Sequence, residues 1–171
     1  AWTMGGLSMM PATADFTIEN PGPDAPYKGA NAGYHSRILK ETEKASPGYY
    51  EVELYDHRVK AAMTATTRCS FQKYIFPECT DSRILMDPLF PTEWDYGFSV
   101  KEATIEQVSD TRIEGYAKCV SGAWSRWNDW TLCFSIRFSK PFDSFNGWKG
   151  TEVTENINKI SGSDEMGAYV T

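Results

Sequence analysis

Cysteine, histidine and excess positive charge are all scarce in this chain of 171 residues, and each scarcity removes a class of function. Four cysteines stand at positions 69, 79, 119 and 133, none in C-x-x-C spacing, and only His35 and His57 could add ligands, so a structural zinc site is not expected. Lys and Arg number 17 against 23 Asp and Glu, a formal net charge of −6 that argues against a phosphate-backbone binder and hence against a nucleic-acid partner. No apolar run approaches the roughly 20 residues that a helix needs to cross a bilayer. No basic segment followed by an apolar stretch opens the chain, so no secretory signal is visible. The catalytic signatures G-x-S-x-G, H-E-x-x-H, the P-loop and a G-x-G-x-x-G after a strand are missing as well.

What the chain has is aromatic residues and alternation. Six Trp, nine Tyr and nine Phe make 14% aromatics, which rules out wholesale disorder, and a chain of this size buries roughly 70% of its unfolded surface. Trp130, Leu132, Phe134, Ile136 and Phe138 alternate with Thr131, Cys133, Ser135 and Arg137, the clearest period-two strand present. Shorter strands are read at Tyr50–Leu54, Val59–Met63, Arg68–Phe76 and Arg83–Met86, and a hairpin at Phe98–Val108 and Arg112–Val120 turning at Ser109-Asp110-Thr111. Helical candidates are confined to Ile38–Ala45, ended by Pro47-Gly48, and Glu152–Ile160, which has little apolar face to bury. The stretch from Asn20 to Tyr34, rich in Pro and Gly, is a long loop. Short strands with frequent turn signals predict an all-β, antiparallel β-sandwich with long loops, one domain over residues 1–171. Met4–Met10 reads as a strand already in progress and Gly167–Thr171 stops on strand formers, so the chain reads as a piece of a longer one.

Candidate functional residues are few. Acidic residues are plentiful, but Glu19, Asp24, Asp87, Glu93 and Asp95 fall in loops, where solvated turn residues are the ordinary outcome, and no catalytic pair stands out. Trp124, Trp127 and Trp130 cluster. Exposed Trp stacks on sugar rings and offers a hydrogen-bonding edge. Trp130 fits the core alternation, whereas Trp124 and Trp127 lie among Gly122, Ser125, Arg126 and Asn128 and suit either ligand or domain-interface contact or capping of the core. His35 follows the long loop and is a candidate for a polar contact, and His57, after Asp56 in a hairpin turn, is expected to be exposed. Among the thiols, Cys119 with Cys133 is the pairing that local geometry allows across a hairpin; the alternative is that Cys69 and Cys133, inside strand patterns, are small buried hydrophobes.

Several segments then carry a family resemblance. Lys44-Ala45-Ser46-Pro47-Gly48-Tyr49-Tyr50-Glu51-Val52-Glu53-Leu54 resembles the A-x-PGYY-x-V-x-L segment of glycoside hydrolase family 92, and Lys60–Arg68 its I-K-A-E-L-T-A-T-x-R strand. Tyr74-Ile75-Phe76-Pro77 follows in place, Phe138-Ser139-Lys140-Pro141-Phe142 is similar to F-S-K-P-F, and the segments Gly5–Pro11 and Gly167–Thr171 resemble the family's G-D-I-x-x-M-P and A-Y-V-x-F strands.

The resemblance implies the N-terminal β-sandwich of a calcium-dependent, inverting exo-α-mannosidase, secreted or periplasmic, acting on mannose-containing glycans. On that reading the partner is a catalytic (α/α) barrel elsewhere in the parent chain, calcium belongs to the full-length enzyme, and neither metal nor catalytic residues are expected here. Inversion needs two carboxyl groups roughly 6.5–9.5 Å apart with water between them, and the family takes its pair mainly from the barrel. This domain is then expected to pack on the barrel and wall one side of the sugar pocket, with Trp124, Trp127 and His35 as candidate contacts. An exposed apolar patch of roughly several hundred Å² marks the side that meets the barrel. The alternatives are a free-standing carbohydrate-binding module and a purely structural sandwich. Bare sheet edges also make a dimer an expectation.

Overall fold

The computed structural model describes residues 7–13, 18, 34, 36–88, 99–121, 128–163 and 165–171. These form thirteen strands: β1 (Ser8–Ala12), β2 (Ile38–Ser46), β3 (Tyr49–Leu54), β4 (Val59–Ala65), β5 (Ser70–Ile75), β6 (Arg83–Asp87), β7 (Ser99–Ser109), β8 (Arg112–Ser121), β9 (Asn128–Arg137), β10 (Phe145–Lys149), β11 (Glu152–Thr154), β12 (Lys159–Gly162) and β13 (Met166–Val170). They assemble into three antiparallel sheets: a central sheet ordered β1-β6-β13-β10-β11, a back sheet ordered β12-β7-β8-β9, and a side sheet ordered β2-β3-β4-β5.

The sandwich is made by the central and back sheets. Met86 on β6, Phe145 on β10, and Met166, Ala168 and Val170 on β13 meet Val100, Ala103 and Ile105 on β7 and Ile113, Ala117 and Cys119 on β8 in one buried cluster. Successive strand residues point to opposite faces, so Leu85 and Tyr169 turn outward from this core. There, with Ala12, Tyr34 and Trp148, they form a second buried cluster on the outer face of the central sheet. The central sheet is thus covered on both sides. A third cluster, Val52, Leu54 and Val59, belongs to the side sheet and packs against Met10 of β1, which also touches the second cluster.

Two glycines show how tightly side chains of neighbouring strands pack within each sheet. A Cβ on Gly115 of β8 would lie 2.3 Å from the Thr104 carbonyl oxygen and 2.4 Å from Cζ of the Phe134 ring. A Cβ on Gly167 of β13 would lie 2.2 Å from Cζ2 of Trp148 and 2.6 Å from the Met86 carbonyl oxygen. Each glycine lets a neighbouring ring lie over the strand.

Several expectations need correction. Ile38–Ala45 is a strand, not a helix: its register against β3 shifts between Leu39 and Lys44, and the Thr42 hydroxyl closes that bulge by donating to the Leu39 carbonyl at 2.7 Å and accepting the Glu53 N–H at 2.9 Å. Lys40 and Glu43, spaced as a helical ion pair, meet within the bulged strand instead. Glu152–Ile160 holds β11 and β12 rather than helical turns. All four cysteines are free thiols. Cys119 is buried in the sandwich while Cys133 is exposed, because Cys119 opposes Trp130 and Cys133 opposes Tyr116, on the other face of the sheet. Cys69 is exposed too, directly before β5. His57 is buried at 3% exposure rather than solvated, its Nδ1 accepting the Thr13 N–H at 3.3 Å where the side sheet meets β1. Asp87 ends β6 and is buried at 4% exposure, not a solvated turn residue.

Candidate functional site: two outward faces

Trp124, Trp127 and His35 lie outside the described residues. Trp130 lies on β9, half-buried against the sandwich core, as its alternation predicts.

On the outer face of the central sheet, register aligns Leu85 with Tyr169, and Tyr169 with Asn146. Tyr34 covers this row: its hydroxyl donates to Asp87 Oδ2, and its ring lies 6.3 Å from Trp148, tilted by 55°. Burial first, then the Asp87 carboxylate beside it, push the Tyr34 hydroxyl well above the ordinary tyrosine range. Tyr34 therefore stays protonated and serves as a donor, not a base. Arg83 stacks on the Tyr169 ring, 5.6 Å from its centroid. Chemically this is a fixed polar knot between aromatic rings, which anchors residue 34 to the sheet; it presents no nucleophile with an adjacent base.

The side sheet is different. Pairing of β3, β4 and β5 places Tyr50, Val52 and Leu54 with Met63, Ala61, Val59, Gln72 and Tyr74 on one face, and Tyr49, Glu51 and Glu53 with Thr64, Ala62, Lys60, Phe71, Lys73 and Ile75 on the other. The first face carries the buried cluster. The second is open: Phe71 is 71% exposed, Ile75 50% and Tyr49 42%. Among the described residues, five of the seven exposed large hydrophobics belong to this sheet or its β3–β4 turn, Ile38 and Tyr55 completing the set; the others are Val108 and Val153. The polar groups between them are already engaged. Lys44 Nζ lies 2.8 Å from Glu51 Oε1, and the Tyr49 hydroxyl donates to Glu51 Oε2 at 2.5 Å, so Lys44 first and Tyr49 second hold the Glu51 carboxyl below its usual range. The same bond fixes the Tyr49 ring. At the turn, Asp56 receives Arg37 through its side chain at 2.6 Å and its backbone N–H at 2.7 Å, and the Arg37 guanidinium stacks 4.5 Å from the Tyr55 ring.

The apolar row of this outward face is built from Tyr, Phe and Ile rather than from tryptophan. A signal was present in β5: Phe71 and Ile75 alternate with Tyr74 and Phe76, so neither face of the strand reads as polar.

The described residues do not fit calcium, which takes six to eight oxygen ligands. Among them no three or more His, Cys, Asp and Glu side chains gather as a metal site, and one oxygen of the buried Asp87 is taken by Tyr34. No helix of the described residues is long and apolar enough to cross a membrane.

Three antiparallel sheets, two of them packed face to face around one core, define an all-β sandwich, with one apolar outward face among the described residues. The chain belongs to glycosyl hydrolase family 92: residues 1–171 match its N-terminal domain. Among solved structures it is similar to the family GH92 α-mannosidase BT3965 from Bacteroides thetaiotaomicron, at 24% identity and a TM-score of 0.78, over 98% of this chain and 22% of that one. It is also similar to the family GH92 inverting mannosidase BT2199 from Bacteroides thetaiotaomicron, at 16% identity and TM-score 0.68, over 96% of this chain and 19% of that one. The gh92 family glycosyl hydrolase ccman5 matches at 18% identity and TM-score 0.71, over 97% of this chain and 21% of that one. At these identities the likeness establishes the fold. The chain spans about a fifth of the length of these solved relatives. No curated protein sequence matches it.

Proposed function

We propose that the chain serves an exo-acting, inverting α-mannosidase as its N-terminal domain, packing on a separate catalytic barrel and walling one side of the pocket that receives mannose-containing glycans. It performs no catalysis by itself. The observation that carries this reading is the match of residues 1–171 to the family's N-terminal domain. Relatives several times longer are named mannosidases, which leaves room for the catalytic machinery elsewhere. Calcium, if the enzyme uses it, is assigned to that remainder, and the setting is secreted or periplasmic. Trp124 and Trp127 are assigned to sugar or domain contacts, with His35 beside them as a polar contact.

The test is the Trp124→Ala, Trp127→Ala double variant in the full-length enzyme, assayed on an α-mannoside. Slower turnover or a weaker KM, with the variant still folded, supports the assignment. Unchanged kinetics and unchanged stability remove the two tryptophans from it, and a full-length protein that hydrolyses no α-mannoside removes the function itself.

A further inference from the structure

The strands of the side sheet pair with one another, β2 to β3, β3 to β4 and β4 to β5, and share no backbone ladder with the other two sheets. The side sheet meets β1 around the β3–β4 turn. There Val52, Leu54 and Val59 pack against Met10, and the buried His57 reaches the residue just after β1. The backbone N–H of Thr13 donates to His57 Nδ1 at 3.3 Å, across 44 residues of chain. An imidazole nitrogen accepts a hydrogen bond only when it carries no proton, so this bond fixes the neutral ring with its hydrogen on Nε2. A proton added at Nδ1 turns the acceptor into a donor. Two N–H groups then meet head to head in a place closed to water.

We propose that His57 is a pH-sensitive latch: neutral, it holds the side sheet to β1; protonated, it lets the chain at Thr13 part from the turn. The latch goes beyond the mannosidase reading, which makes no use of His57. The charged groups around the ring favour the neutral form at a closed junction. Asp56, the preceding residue, attracts a positive ring, but Arg37 already holds its carboxylate through the side chain and the backbone N–H. Arg58 follows in the turn, its guanidinium over the Tyr55 ring at 5.7 Å from the centroid, and Arg83 on β6 stands opposite Ala12, next to Thr13. Tyr50 and Tyr74 pack on the same small cluster from β3 and β5 and stay neutral, burial being the first cause that pushes each hydroxyl up. Three arginines around one shared aspartate leave an imidazolium poorly matched, so ring protonation competes with the closed junction. The Thr13 bond is therefore complete above the ordinary imidazole value of about 6.5 and is lost as pH falls below it.

The test is backbone hydrogen exchange of the full-length protein from about pH 7.5 to about pH 5, read by mass spectrometry on the peptide that carries Thr13. Peptides of the β7–β8 hairpin serve as the reference, since the chemical exchange rate changes with pH alike in both. Protection at Thr13 is expected to fall about tenfold relative to the hairpin across that range. His57→Asn keeps an acceptor near the Nδ1 position and does not titrate, so its Thr13 protection is expected to be independent of pH. Protection that stays level in wild type, or that falls equally in His57→Asn, overturns the latch. Should the Asn variant fail to fold, exchange at the imidazole C2–H of His57 in the wild-type protein follows its protonation without any substitution. Ring protonation and release of Thr13 must then share one midpoint. A ring that gains its proton while Thr13 stays protected, or that gains none down to about pH 5, overturns the proposal as well.

Discussion

The outward faces of the back sheet and the side sheet are both four-stranded and antiparallel, and they solve the same problem in opposite ways. On the back sheet the outward row is mostly polar and laced by ion pairs, with Val108 at the end of β7 its one exposed large hydrophobic among the described residues. Lys159 reaches Glu106 at 3.1 Å, the Thr104 and Ser161 hydroxyls are bonded at 2.9 Å, and Glu102 receives Lys118 at 2.7 Å together with the Tyr116 hydroxyl. Lys118 first, then Tyr116, hold the Glu102 carboxyl below its usual range. The side sheet pairs its charges as well, Lys44 with Glu51 and Arg37 with Asp56, but leaves Phe71, Ile75 and Tyr49 bare among them. The lesson is that ion pairs alone do not make a solvent face. The large side chains left between them tell the two apart.

The sharpest way to break the comparison is to attack the buried side of the back sheet. Gly115→Ala forces a methyl group into the Thr104 carbonyl and the Phe134 ring. A loss of about 3 kcal/mol in urea unfolding is expected, because backbone cannot move aside as a side chain can. A variant as stable as wild type would mean that the inner face does not hold this sheet.

Next comes the polar knot on the central sheet. Tyr34→Phe leaves Asp87 without its hydroxyl donor, at a cost of about 2 kcal/mol at neutral pH. The same pair fixes an alkaline response. The folded state raises the Tyr34 pKa, by burial first and by Asp87 next, and so keeps a proton that the unfolded chain releases near pH 10. The contribution is complete below about pH 10 and is lost as pH rises above it, at about 1.4 kcal/mol per pH unit. Unfolding midpoints measured from pH 9 to 11 should fall more steeply for wild type than for Tyr34→Phe; parallel slopes would deny the burial of this hydroxyl.

The smallest effect belongs to the outward ladder itself. Lys118→Ala removes an exposed partner of Glu102, and no measurable change in the urea midpoint is expected, since surface ion pairs contribute little in water and salt. Any clear destabilisation would show that the back sheet's outer face is not a plain solvent face.

Much of this architecture was legible in the chain. The alternation from Trp130 to Phe138 yields β9 with its inward row, and the turn at Ser109-Asp110-Thr111 yields the β7–β8 hairpin. What escaped did so for definable reasons. Lys40 and Glu43 have helical spacing, but a bulge brings them together in a strand just as well. Cys133 was open to a buried reading by residue type, although its own strand's parity, opposite to Leu132 and Phe134, points it outward. His57 and Asp87 are buried because distant segments cover them: β1 packs over the side-sheet turn, and Tyr34 folds onto β6. Local pattern carries no record of a contact 44 or 53 residues away. For the candidate site, Trp124, Trp127 and His35 lie outside the described residues, and the exposed row of Tyr49, Phe71 and Ile75 has no counterpart among the residues singled out from sequence.

The position of β13 has a consequence for how the domain is made. It sits in the middle of the central sheet, between β6 and β10, although its residues are the last of the thirteen strands to leave the ribosome. At about 5–20 residues per second, synthesis delivers the β3–β4–β5 and β7–β8–β9 meanders seconds before their common scaffold can close. During that interval β6 and β10 have a vacant slot between them, and any stray strand can fill it. The nascent domain is therefore at its most aggregation-prone just before its final strand emerges, a window in which a chaperone would matter most.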